Sequence, residues 1–119
     1  MSIGQRERAI LVGLANDIDT AKSEYAPTAR DDFTQFKRVR RAEEETAVCD
    51  PRKWLGVPIT ASQSVMNGRS YARLEQAGLV EKIHSEYSTK TSALRITPAG
   101  RDEVRRLLQQ GSKTTPEGK

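Results

Sequence analysis

A chain of 119 residues with 35% hydrophobic and 5% aromatic side chains can hold one modest domain but not two, and a core this lean makes a homodimer the expected state. No apolar run approaches the roughly 20 residues of a membrane span, and one cysteine with one histidine supplies neither an intramolecular disulfide nor a metal site. The net charge of +4 is unevenly spread: residues 1–59 set ten basic side chains against ten acidic, residues 60–119 ten against six, and a basic half favours polyanions, nucleic acid first.

The chain opens on "MSIGQRERAILVGLANDID", whose acidic residues stand where a leader's cleavage site would be, so a cytoplasmic location is expected. Ile10, Leu11, Leu14 and Ile18 recur at three- and four-residue spacing and predict a first helix over about 5–21 with one apolar stripe. Pro27 breaks it. Thr28, Asp31 and Asp32 then suit a new N-terminus, with Phe33 and Phe36 facing inward.

The stretch "FKRVRRAEEETA" is a charge run and reads as a solvated face or loop. Lys37, Arg38, Arg40 and Arg41 could touch phosphates, although the following glutamates would partly cancel their field. Asp50-Pro51 starts a short helix of about two turns. Trp54, Leu55 and Val57 anchor it, and Gly56 with Pro58 ends it. Cys49 reads as a packed or idle thiol, since only Arg52 stands nearby to lower its pKa.

A long helix follows over about 61–77, capped by Thr60 or Ser62 and stopped at Gly78. Tyr71 and Leu74 face the core, with Val65 and Ala72 on the neighbouring flank. Gly68 costs about 1 kcal/mol against alanine in mid-helix. It marks a close approach to the preceding helix or to a ligand backbone, or a helix that starts later. "LVEKI" and "ALRI" are short strands joined by the polar loop "HSEYSTKTS", with Leu94 and Ile96 on one face and Arg95 on the other. His84 reads as an inert surface histidine. Thr97-Pro98 starts the last helix, which buries Val104, Leu107 and Leu108 and closes at Gly111. Arg101, Arg105 and Arg106 read as solvated, and residues 111–119 as a disordered tail.

The string "RSYARLEQAGLVEKI…ALRITPAGRDEV" resembles the recognition helix, wing and trailing helix of MarR-type winged helix-turn-helix regulators. The matching residues are Arg73, Leu74, Glu75, Gly78, Leu79 and Val80, then Thr97 and Gly100, within residues 58–110. The chain departs from that pattern in an over-long stretch from "WLGVP" to Gly78 and in a wing without the Asp-Arg-Arg common in those relatives. Residues 1–57 carry no such match and read as a helical segment packing on the same domain.

The resemblance implies a mainly α fold with a small β-hairpin wing, a winged helix-turn-helix with extra N-terminal helices. It also implies a double-stranded-DNA-binding transcription regulator acting as a homodimer, with the helices at 5–21 and 98–110 supplying the dimer contact. Gln63, Asn67, Arg69 and Ser70 are the side-chain types that reach base edges. Arg73 would grip a phosphate, and Lys90 and Arg95 on the wing, at about 79–97, would contact backbone or minor groove. The alternative for Arg69 and Arg73 is that they are merely solvated arginines on a structural helix. The competing reading is a winged-helix protein–protein interaction module, or an accessory protein of replication or a mobile element, with no DNA site of its own. No paired nucleophile and base, metal cluster or phosphate-binding glycine loop suggests an enzyme, and no cofactor is expected.

Overall fold

The computed structural model describes residues 3–23, 33–58, 60–84 and 91–114. Eight elements follow in order: α1 (Gln5–Ser23), α2 (Phe33–Glu43), β1 (Thr46–Val48), α3 (Pro51–Leu55), α4 (Ala61–Gln76), β2 (Val80–His84), β3 (Thr91–Ile96) and α5 (Pro98–Thr114). The protein is mainly helical with one small antiparallel sheet of order β1-β3-β2. The expectations for the side chains of Phe33 and Phe36, for Lys90 and for the tail beyond Thr114 lie outside the described residues.

Helix α1 is the centre of the molecule rather than a flank. Its stripe of Ile10, Leu11, Leu14 and Ile18 is fully buried, Ala15 and Ala21 are nearly so, and it packs against α2, α3, α4 and α5. Burying a leucine or isoleucine contributes about 1.5–3 kcal/mol, so these four side chains form a strong apolar block at the centre of the described core. Gly13 makes one of these contacts possible. A Cβ there would lie 2.7 Å from Trp54 Cβ, so only glycine lets α3 approach this closely.

The short helix α3 has the caps its sequence announces. Asp50 accepts the Lys53 amide, Pro51 opens the helix, and Gly56 closes it at φ 69°. It is a single five-residue turn rather than two. Thr60 caps α4 through the Gln63 amide, and Gly78 adopts φ 78° just past the helix end, the left-handed conformation glycine takes at no steric cost. Thr97 does two jobs: its hydroxyl accepts the Gly100 amide at the start of α5 and donates to the Gly78 carbonyl at 2.6 Å.

Several expectations are corrected. The sheet has three strands, because Thr46–Val48 pairs with β3 in the register Thr46↔Arg95 to Val48↔Ala93. Glu45, before it, takes a left-handed φ of 60°, which is uncommon for a non-glycine residue. Its carbonyl accepts the Ile96 amide, and its carboxylate pairs with Lys22 and Arg101. Arg101 is therefore half-buried in a network with Glu45 and Asp19 rather than solvated. Helix α5 continues past Gly111 to Thr114, and Leu108 is 58% exposed instead of buried. Val65, at 56%, is exposed as well.

Candidate nucleic-acid interface

Helix α4 leads through the Gly78 turn directly into the β2–β3 hairpin. Residues three and four apart share a helix face, and Gln63, Asn67, Ser70 and Leu74 fall on one such stripe. That stripe faces α1. Asn67 and Ser70 are buried, at 3% and 1% exposure, and are not presented to a ligand. The Arg6 guanidinium donates to Asn67 Oδ1 at 2.7 Å and to Gln63 Oε1 at 2.9 Å. The Ser70 hydroxyl donates to Glu7, whose other oxygen accepts the Gly4 amide at 3.0 Å. Arg73 stands 3.6 Å from the same Glu7 carboxylate, with its side chain 66% exposed.

A polar clasp thus seats the N-terminal two-thirds of α4, and Tyr71 with Leu74 seats the rest in the core. Glu7 is itself buried, and its hydrogen bonds repay part of the cost of removing a carboxylate from water. Among the described residues, no buried side-chain nitrogen or oxygen lacks a partner.

The outward face of α4 carries Ser62, Val65, Met66, Gly68 and Arg69, all exposed. Arg69 forms no hydrogen bond or ion pair among the described residues. Gly68 has nothing within 4 Å of a built Cβ, and the helix is regular through it. Two of the reasons for a glycine there, a close approach to the preceding helix and a later helix start, are thereby removed.

On the hairpin, Arg95 pairs across the strands with Glu81 at 3.2 Å, and Lys82 stands 3.8 Å from Glu75. These are half-buried, partly neutralised cations whose acidic partners are exposed, and each pair contributes little to stability. His84 is exposed at a β-bulge. Burial pushes the Cys49 thiol up to about 11, against a smaller opposing effect of Tyr71.

Of the residues expected at the interface, Arg69 and Arg73 are the two on α4 that reach solvent freely. Gln63 is half-covered by Arg6. Arg6 and Glu7 escaped the sequence reading, because their partners lie 57–63 residues away. The outward position of Val65 was legible, since it shares no stripe with Leu74. Among the described residues, no group of three His, Cys, Asp or Glu could hold a metal, and no helix is long and apolar enough to cross a membrane. No family model matches the chain, and no curated protein or solved structure matches it either.

Proposed function

We propose that the protein is a winged helix-turn-helix that binds double-stranded DNA, with α3 and α4 as the helix-turn-helix, α4 as the recognition helix and the β2–β3 hairpin as the wing. The observation that carries this reading is the outward face of α4. An arginine without an acidic partner among the described residues stands beside a glycine whose missing Cβ would meet none of them. Glycine at this position lets a backbone or phosphate come close at a cost of about 1 kcal/mol to the helix. In the roughly 12 Å major groove, Arg69 would read guanine bidentately, Ser62 could serve any base, and Val65 and Met66 would meet thymine methyls. Arg73 is the phosphate contact. Asn67 and Ser70 have no part in base reading, because they are consumed by the clasp with α1.

The working state is a transcription regulator bound as a homodimer to two half-sites. With α1 spent in the core, the dimer contact falls to α5, where Leu107 is half-exposed and Leu108 exposed. The interaction-module reading rests on Val65 and Met66, which could seat on an apolar protein surface from the same face of α4.

Fluorescence anisotropy on a labelled random-sequence duplex across a salt series tests the proposal. Affinity should fall steeply with salt, with a log–log slope of about −0.9 per phosphate neutralised. On a selected site, Arg69→Ala should cost about 1–3 kcal/mol and relax the base preference. Absence of binding at low salt by the folded protein would reject the DNA reading in favour of a protein partner.

A further inference from the structure

A cavity of about 240 Å³, to which no residue of α4 contributes, is bounded by α1, α2, β1 and α3. Ile18, Ala21, Ala42 and Ala47 form its apolar wall. Three of these four are alanines, placed where two helices and a strand converge, and larger side chains there would fill the space. The polar rim carries Arg38, Arg41 and Lys53 against Asp17 and Asp50.

The rim's charges are unevenly matched. Lys53 Nζ at 2.9 Å and Arg38 Nη2 at 3.2 Å both donate to the same oxygen, Asp17 Oδ1, while Trp54 Nε1 donates to Asp17 Oδ2 at 3.2 Å. Asp50 Oδ1 is occupied by the Lys53 amide as the cap of α3. Asp17 and Asp50 are thus already engaged, and Arg41 is the rim cation that no ion pair holds among the described residues.

We propose that this cavity binds a small monoanion with an apolar body, a carboxylate of about eight to twelve non-hydrogen atoms. The size follows from the volume, which equals about eight waters at roughly 30 Å³ each. The sign follows from the rim, where an incoming carboxylate gains charge-assisted hydrogen bonds from Arg41 and from Lys53, which Asp17 shares. A cationic ligand would find Asp17 taken. The apolar body lies against the alanines. Because Lys53 and Trp54 hold α3 against α1 through Asp17, a ligand that draws Lys53 away loosens the seat of α3, the helix preceding α4. An effect on DNA affinity rests on the DNA-binding reading; the binding of the anion does not.

Trp54 is the one tryptophan of the chain and touches the network directly, so its fluorescence is the readout. The full chain is titrated with hexanoate, which does not absorb, and with benzoate, against hexanamide, benzamide and sodium chloride at matched ionic strength. Saturable changes with both carboxylates, at least about tenfold weaker with the amides, are expected from the loss of a charge-assisted contact. Arg41→Gln, on the exposed rim, should weaken carboxylate binding about tenfold, and Ala47→Leu should abolish it by filling the cavity, each with an unchanged circular dichroism spectrum. A flat response to both carboxylates up to about 10 mM, equal responses to acid and amide, or full binding in folded Arg41→Gln overturns the proposal. The titration contains no DNA and the anisotropy series contains no carboxylate, so the two readings fail separately.

Discussion

Gly100→Ala is the substitution whose cost is most directly set by the structure. A Cβ built on Gly100 would lie 2.1 Å from the Leu79 carbonyl oxygen and 2.8 Å from Ile96 Cγ1, where real Cβ atoms essentially never come within 3.0 Å. The carbonyl must therefore retreat by about 0.9 Å. It cannot do so freely, because Leu79 O accepts the Thr97 amide at 3.1 Å and Leu79 N donates to Leu74 O at 3.0 Å. Retreat stretches the first bond beyond hydrogen-bonding range, at about 1 kcal/mol. Overpacking adds about 1–3 kcal/mol, for a total loss of about 2–4 kcal/mol.

Urea denaturation followed by circular dichroism should show the midpoint lowered with the slope unchanged. Gly68→Ala is the internal control. With open space around it and a helical backbone, it should gain about 0.5–1 kcal/mol. A Gly100→Ala protein within about 0.5 kcal/mol of the parent, the range of an ordinary surface substitution, would refute the claim that the turn after α4 is pinned against α5.

Gly68→Ala should also weaken binding to a selected duplex while raising stability, and an unchanged affinity would remove glycine from the DNA argument. Glu7→Gln keeps the shape of the clasp but loses the charge that Arg73 and the Gly4 amide face, so a loss of about 1–3 kcal/mol in denaturant unfolding is expected. Arg73→Ala removes a guanidinium that is 66% exposed and stands 3.6 Å from the buried Glu7, which keeps its bonds to Ser70 and the Gly4 amide, so it should cost about 1 kcal/mol in the same measurement. For Asp17, burial alone would raise the pKa, but the hydrogen bonds from Lys53, Trp54 and Arg38 outweigh it and hold the carboxyl below its ordinary value. The stability it contributes is therefore complete above the ordinary carboxylate range and lost as pH falls through the depressed folded value. Asp17→Asn should be less stable than the parent at neutral pH, with the difference narrowing in acid. A constant difference from pH 7 to pH 2 would exclude that linkage.

The sequence by itself determined the features whose physics is local. Asp50-Pro51 with Gly56, Thr60, Gly78 and Thr97-Pro98 set the ends of α3 and α4 and the start of α5 within a residue or so, because a cap satisfies backbone groups three or four positions away. The periodicity of Ile10, Leu11, Leu14 and Ile18 gave α1, and Leu94 with Ile96 gave the buried face of β3. Arg69 and Arg73 were readable as outward residues of α4. The stripe that holds Leu74 also holds Asn67 and Ser70, so their inward direction was legible from spacing alone, although their polarity argued for the groove.

Tertiary structure decided what those local signals could not. β1 has three residues and no alternation to reveal it, and it is a strand only because β3 offers it an edge. α1 could have been a flanking helix or the central one. Packing against four other helices made it central, and an amphipathic stripe does not state how many neighbours it will bury against. Arg6 and Glu7 became the seat of α4, and Asp17 the anchor of α3, through bonds spanning 36 to 63 residues. A polar side chain in a sequence carries its hydrogen-bonding capacity but not the identity of its partner. That partner is chosen only when the apolar core has brought the two helices together.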